Sequence, residues 1–140
     1  MSARPPVRYP TARATPTPAE FTFTVPGRPE GWKRTTSVNG RRLTPKAMRA
    51  YKATVAQYAA WAMSQQRFAL VSRPARVGVV LDVFTDTPGA DADNYAKIVC
   101  DALNEVAYDD DKQVDDLHIN VVRGVRPKTK ARLDVRVWAL

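Results

Sequence analysis

Apolar and polar residues alternate in four short stretches of this chain. Phe21, Phe23 and Val25 are separated by threonines, and Val77, Val79, Leu81 and Val83 form a second series. Leu117, Ile119 and Val121 form a third; Leu133, Val135 and Val137 form a fourth, with Arg132, Asp134 and Arg136 on its other face. A period of two puts each series on one side of a β-strand. Two further stretches repeat at three and four. Met48, Tyr51, Val55, Tyr58 and Ala62 predict a helix over 45–66, with Thr44 as N-cap and Pro45 at the first helical position. Tyr95, Ile98, Val99, Ala102, Leu103 and Val106 predict a second helix over about 92–107. Pro26-Gly27 ends the first strand, and Asn39-Gly40 is the turn of a hairpin. The order is strand, hairpin, helix, strand, helix, strand, strand. It predicts an α/β (α+β) fold: a small mixed β-sheet packed with two main helices.

The first nineteen residues break the pattern. Pro5, Pro6, Pro10, Pro16 and Pro18 alternate with Arg4, Arg8 and Arg13, and little apolar surface is available for burial. Residues 1–19 are therefore expected to form a mobile tail, either an arm on DNA backbone or a solvated leader, and residues 20–140 a single domain. No apolar run is long enough to span a bilayer, no signal-peptide core is present, and the one cysteine, Cys100, has no internal partner. These features suggest a cytoplasmic setting with no membrane association.

Charge changes the picture more than composition does. The chain carries 22 Lys and Arg against 14 Asp and Glu, a net charge of +8. Eleven of the fourteen acids fall between Asp82 and Asp116, a stretch with two lysines and a net charge of −9; the remainder is at +17. A basic protein that gathers its acids into one patch suggests a polyanion partner, with a divalent cation acting on its phosphates. Asp91 falls at or just before the second helix, where the helix dipole favours ionised carboxylates. Asp93 and Lys97 lie four apart on the side away from the apolar stripe. Carboxylates brought together in this way invite Mg²⁺ or Mn²⁺, which prefer oxygen ligands. Helix capping and a solvated ion pair would leave the same residues, and Asp109-Asp110-Asp111 reads equally as a solvated turn. That run lacks the glycine and terminal glutamate of an EF-hand loop.

Taken together, these pieces are more specific. A helix opening D-A-D-N-Y-A-K, continuing to D-A-L one turn later and closing in D-D-x-Q-V before a strand resembles the RusA family of Holliday-junction resolvases, small metal-dependent endonucleases often carried by prophages. The residues that carry the resemblance are Asp91, Asp93, Asn94, Lys97, Asp101, Ala102, Leu103, Asp110, Asp111, Gln113 and Val114. The upstream P-G-R-P-E-G-W-K-R and R-R-L-T-P-K-A-M-R-A-Y-K segments are similar to the family's N-terminal half. The resemblance implies catalytic, metal-binding carboxylates at Asp91, Asp93 and Asp111, a catalytic lysine at Lys97, and supporting roles for Asn94, Asp101 and Asp110. It implies Mg²⁺, with Mn²⁺ as a substitute, and a homodimer acting on four-way DNA junctions in recombination and repair. Three features depart from the pattern, one of them the proline-rich tail, which has no obvious family counterpart. The residues before Asp91 are Thr87-Pro88-Gly89-Ala90 where relatives carry arginines, and a shorter gap after Asp101 leaves the choice among Asp109, Asp110 and Asp111 open.

Arg28, Lys33, Arg34, Arg41, Arg42 and Lys46 crowd around Trp32, with Glu30 as the one acid among them. Cations with an aromatic suit a DNA backbone track with a stacking platform; a solvated hairpin with Trp32 in the core is the other reading. Arg123, Arg126, Lys128, Lys130 and Arg132 mark a second basic turn, which either extends that track or solubilises the sheet edge. His118 is out of phase with Leu117 and Ile119 and is expected to be structural or solvated, and Cys100 to pack. Besides junction resolution, two functions fit the sequence: fork or flap cleavage on the same scaffold, and junction binding without catalysis.

Overall fold

The computed structural model describes residues 19–32, 36–38, 41–43 and 46–140, with backbone alone for 36–38 and 41–43. The sequence resolves into β1 (Glu20–Pro26), β2 (Thr36–Val38), β3 (Arg41–Leu43), α1 (Lys46–Gln66), β4 (Val77–Thr85), α2 (Ala92–Ala102), β5 (Val114–Arg123) and β6 (Arg132–Ala139). Two single-turn 3₁₀ segments, Asp111–Gln113 and Lys128–Lys130, precede β5 and β6. All but the last residue of the expected tail, the Asn39-Gly40 turn, the Thr44-Pro45 helix start, Lys33 and Arg34 lie outside the described residues.

The main sheet has the order β1-β6-β4-β5. β6 is antiparallel to both β1 and β4, whereas β4 and β5 run parallel, with α2 as the crossover between them. The sheet is thus mixed, as its sequence predicts, and β2 and β3 form a separate antiparallel hairpin. Phe21, Phe23 and Val25 of β1, the alternate residues Val77 to Val83 of β4, and Leu133, Val135 and Val137 of β6 are buried on one face. Both helices pack there, α1 through Met48, Tyr51, Val55, Ala59 and Ala62, and α2 through Tyr95, Ile98, Val99 and Ala102. Burying a Val, Leu or Phe side chain contributes roughly 1.5–3 kcal/mol, so this layer dominates the fold's stability. No described helix is long and apolar enough to cross a membrane.

Three expectations change. The second helix ends at Ala102, with Leu103 as its C-cap, rather than at 107. Glu105 takes a left-handed φ of 63°, its N–H donates to the Tyr108 carbonyl at 2.7 Å, and the Val106 and Ala107 N–H groups both turn back to Leu103. Ala107 and Tyr108 are buried in this reversal, so apolar residues continue past the point where helical geometry stops. On α1 the expected apolar Tyr58 is exposed, and Ala59 takes the buried position. Leu117, expected on a buried strand face, is 43% exposed, because β5 is the sheet edge.

Candidate active site and nucleic-acid surface

α2 positions the central side chains. Asp91 is its N-cap, with an extended backbone (φ −67°, ψ 153°), and its carbonyl accepts the N–H groups of Asn94 (3.0 Å) and Tyr95 (3.3 Å). Its carboxylate makes no capping bond and remains exposed. Asp93 stands in the first turn and Lys97 one turn on, both exposed, as their spacing predicts. The start of the helix is held from two sides. Buried Tyr95 accepts the Ala90 N–H at 3.0 Å, and the Trp32 N–H donates to the Asn94 carbonyl at 2.9 Å. The Trp32 ring then lies 5.6 Å from the Lys97 ammonium and 5.9 Å from that of Lys52, within cation–π range of both.

A groove of about 400 Å³ runs between α2 and β5, and Asp93, Lys97, Cys100, Asp111, Leu117 and Ile119 line it. The acidic run before β5 divides its work. Asp109 accepts the Arg73 N–H at 2.8 Å. Asp110 caps the 3₁₀ turn, accepting the Lys112 N–H, while Gln113 accepts the Asp110 N–H in return. Gln113 is buried and donates to the carbonyls of Val71 and Ala75, strapping the 71–75 segment beneath the turn. Asp111, among the three, is the one that lines the groove. Partial burial and the neighbouring Asp110 carboxyl push its proton affinity up, with a further push from Asp101 and an opposing hydrogen bond from Asn104. The Lys112 N–H holds the Asp110 carboxyl below the usual carboxylate range. Cys100, buried beside these acids, has its thiol pushed up to about 11, chiefly by burial, which fits packing rather than ligation.

Asp101 and Asn104 stand at and just beyond the C-terminal end of α2. Asp101 is ion-paired to Lys52 of α1 and accepts the Asn104 amide at 3.2 Å. The Asn104 side-chain oxygen is buried without a donor. A buried oxygen left without a donor is the ligand chemistry that hard divalent cations take up. Among the described residues, however, no three His, Cys, Asp or Glu side chains are grouped tightly enough to hold a metal ion. Of the three expected metal-binding carboxylates, two line the groove between α2 and β5 and one lines another cleft. Asp93 and Asp111 share the groove, whereas Asp91 faces a second cleft.

That cleft, about 570 Å³, lies on the other side of the helix start and is lined by Arg28, Glu30, Trp32, Thr87, Asp91 and Asn94. Arg28 forms a bidentate pair with Asp86 at 2.9 and 2.8 Å. Of the expected DNA-contacting residues, Arg28 and Trp32 line this cleft, and Lys46 is exposed at the start of α1. Arg41 and Arg42 lie on β3 opposite Val38 and Ser37, with their side chains outside the description. His118 is exposed on the far sheet face beside Asp116 at 2.8 Å, away from the groove.

Lys52 and Asn104 are the site residues that motif spacing misses. Lys52 left a signal: it stands four residues after Met48 and three before Val55, so it is a charge at the flank of a buried stripe. Asn104 left none, because its role depends on the helix ending at Ala102.

The small α+β fold thus carries an acid- and lysine-lined groove and, at the start of α2, a cleft lined by Arg28 and Trp32. The profile of the family Endodeoxyribonuclease RusA matches residues 26–137, and the chain belongs to that family of endodeoxyribonucleases. A search of curated protein sequences finds no match. Among solved structures, the chain has a TM-score of 0.32 and 10% identity to 2C-methyl-D-erythritol 2,4-cyclodiphosphate synthase from Plasmodium vivax, covering 86% of this chain and 93% of that one.

Proposed function

We propose that this protein is a Mg²⁺-dependent endonuclease that resolves four-way DNA junctions, with Asp93, Lys97 and Asp111 acting along the α2–β5 groove. The observation that carries this reading is that these three residues line one groove in a member of the RusA family. A divalent cation, when bound, supplies Lewis acidity toward a phosphate oxygen and the attacking water. Asp93 and Asp111 would hold it; Mg²⁺ commonly takes one or two carboxylates and completes its shell with water and substrate phosphate. Asp91 keeps its assignment as a ligand through the family resemblance, although it faces the neighbouring cleft. Lys97, steadied against Trp32, donates to the charge that develops on the phosphate as water attacks and the P–O3′ bond breaks. Products with a 5′-phosphate and a 3′-hydroxyl follow from the family.

Paired nicks need two sites, and a C2 dimer would supply them on opposed strands of a near-symmetric junction. The β5 edge, with Leu117 and Val122 exposed, is one surface on which a second copy could dock. Acting on DNA within the cell, the protein would be cytoplasmic.

The test is incubation of purified protein and Mg²⁺ with a four-way junction, a fork and linear duplex, with EDTA and Asp93→Asn as controls. Metal-dependent paired cleavage of the junction is the expected result. Preferential cutting of forks or flaps would move the activity to a different substrate, and binding without cutting would identify a silent junction binder.

A further inference from the structure

The turn between β5 and β6, residues 124–131, is the strongest basic feature that the proposed site does not use. From Arg123 to Arg132 there are five cations and no acid. The turn is fastened to Thr85 and Gly27, which lead into the Thr87 and Arg28 sides of the Arg28–Trp32 cleft. The Val125 N–H donates to the Thr85 carbonyl at 3.0 Å, and the Gly27 N–H donates to the Ala131 carbonyl at 3.1 Å.

The five cations divide into two kinds. Arg123 donates to the Pro88 carbonyl, and Arg126 donates to the Asp86 carbonyl at 2.9 Å. Both thereby hold the loop that leads to Asp91. Arg132 pairs with Asp134 at 3.2 Å and covers the Phe84 ring at 4.1 Å. Lys128 and Lys130 remain. They are exposed on the 3₁₀ segment, and their ammonium groups have no ion pair or hydrogen bond among the described residues. The nearby carboxylates are occupied, Asp86 by Arg28 and Asp134 by Arg132 and Thr24.

We propose that Lys128 and Lys130 form a clamp for the phosphate backbone of a duplex arm, next to the cleft at the start of α2. The inference rests on the nuclease reading for its partner, DNA. It adds a contact surface separate from the groove. Two ammoniums on a turn anchored by arginines form a sequence-independent positioning contact, which strengthens binding to junction and plain duplex alike.

The test is equilibrium binding of the full chain to a labelled four-way junction and to linear duplex, in EDTA, between 50 and 200 mM salt. The Lys128→Ala/Lys130→Ala protein is compared with wild type and with Lys128→Arg/Lys130→Arg, and thermal melts verify that each is folded. The alanine pair is expected to bind both DNAs about tenfold more weakly and to flatten the slope of log affinity against log salt by roughly 1–2, with the arginine pair close to wild type. An unchanged salt slope in the alanine pair, with a wild type that cleaves junctions, overturns the clamp and leaves the nuclease reading standing. A flattened slope in a protein that never cleaves supports the clamp and removes the nuclease reading. A wild type that binds no DNA overturns both.

Discussion

Lys52 of α1 is ion-paired to Asp101 of α2, and this bond joins the two helices beside the groove. The same ammonium lies 5.9 Å from the Trp32 ring, whose other cation partner is Lys97. One pair thus ties the helix packing to the position of the lysine assigned to catalysis. Both side chains are about one-third exposed, at 34% and 33%, so solvent screens part of their attraction. A double-mutant cycle with Lys52→Met and Asp101→Asn should return a coupling of about 0.5–1 kcal/mol in urea unfolding. Lys52→Met should also slow cleavage more than Asp101→Asn does, because it alone removes the contact to Trp32. Equal cleavage rates in the two variants would separate Lys52 from the positioning of Lys97.

The residues before α2 are packed so closely against the 27–32 segment that Gly31 has no room for a side chain. A Cβ there would overlap the Cβ of Ala90, and a methyl group cannot rotate away. Gly31→Ala should therefore push the segment off the helix and stretch the Trp32–Asn94 hydrogen bond, at a cost of about 1–3 kcal/mol. Thermal melts would measure the loss. Cleavage should weaken with it, since Trp32 and Asp91 separate; a variant with wild-type Tm would show that this contact relaxes freely.

The strands and α1 were legible because each buries one face, and the period survives in the sequence even at Lys52. The start of α2 was legible for the same reason: Asp91, Asp93 and Lys97 sit where capping and spacing put them. Its end was not. Leu103, Val106 and Ala107 continue an apolar pattern, but the burial at 106–108 is that of a reversal about Glu105, an unfavoured left-handed position that no glycine marks. The division of labour among Asp109, Asp110 and Asp111 was also hidden. It depends on Arg73 and Gln113, which the fold brings to the run from outside it or turns back on it. Leu117 alternates like a buried residue, yet the sheet order makes β5 an edge.

Acid should reach the Arg28–Asp86 pair late. The guanidinium holds the Asp86 carboxyl down to about 2, below the roughly 3.9 of an unfolded aspartate. A depressed folded-state pKa contributes stability that is fully present above the unfolded value and is lost as pH falls through the folded one. The Tm difference between wild type and Asp86→Asn should therefore be constant from about pH 7 to 5 and shrink between about pH 4 and 2. Arg28→Ala should show the same convergence. A gap that persists undiminished at pH 2 would mean that the pair does not set the carboxyl's affinity.

The groove residues can be told apart by what each variant leaves intact. Asp93→Asn and Asp111→Asn keep the shape of the side chain and remove its charge, so junction binding in EDTA should stay within a few-fold of wild type. Cleavage in Mg²⁺ should fall by roughly 10³ or more, since removing a group that acts on transition-state charge commonly costs 10²–10³ by itself. Lys97→Met should lower turnover by about 10². Asp110→Ala tests the division within the acidic run. Its carboxylate caps the turn, so the variant should lose Tm and retain turnover. Asp91→Asn probes the residue that faces the other cleft: loss of cleavage with normal DNA binding would keep it in the cation's shell. Turnover near wild type in Asp93→Asn, with protein that melts normally, would remove the groove from the chemistry altogether.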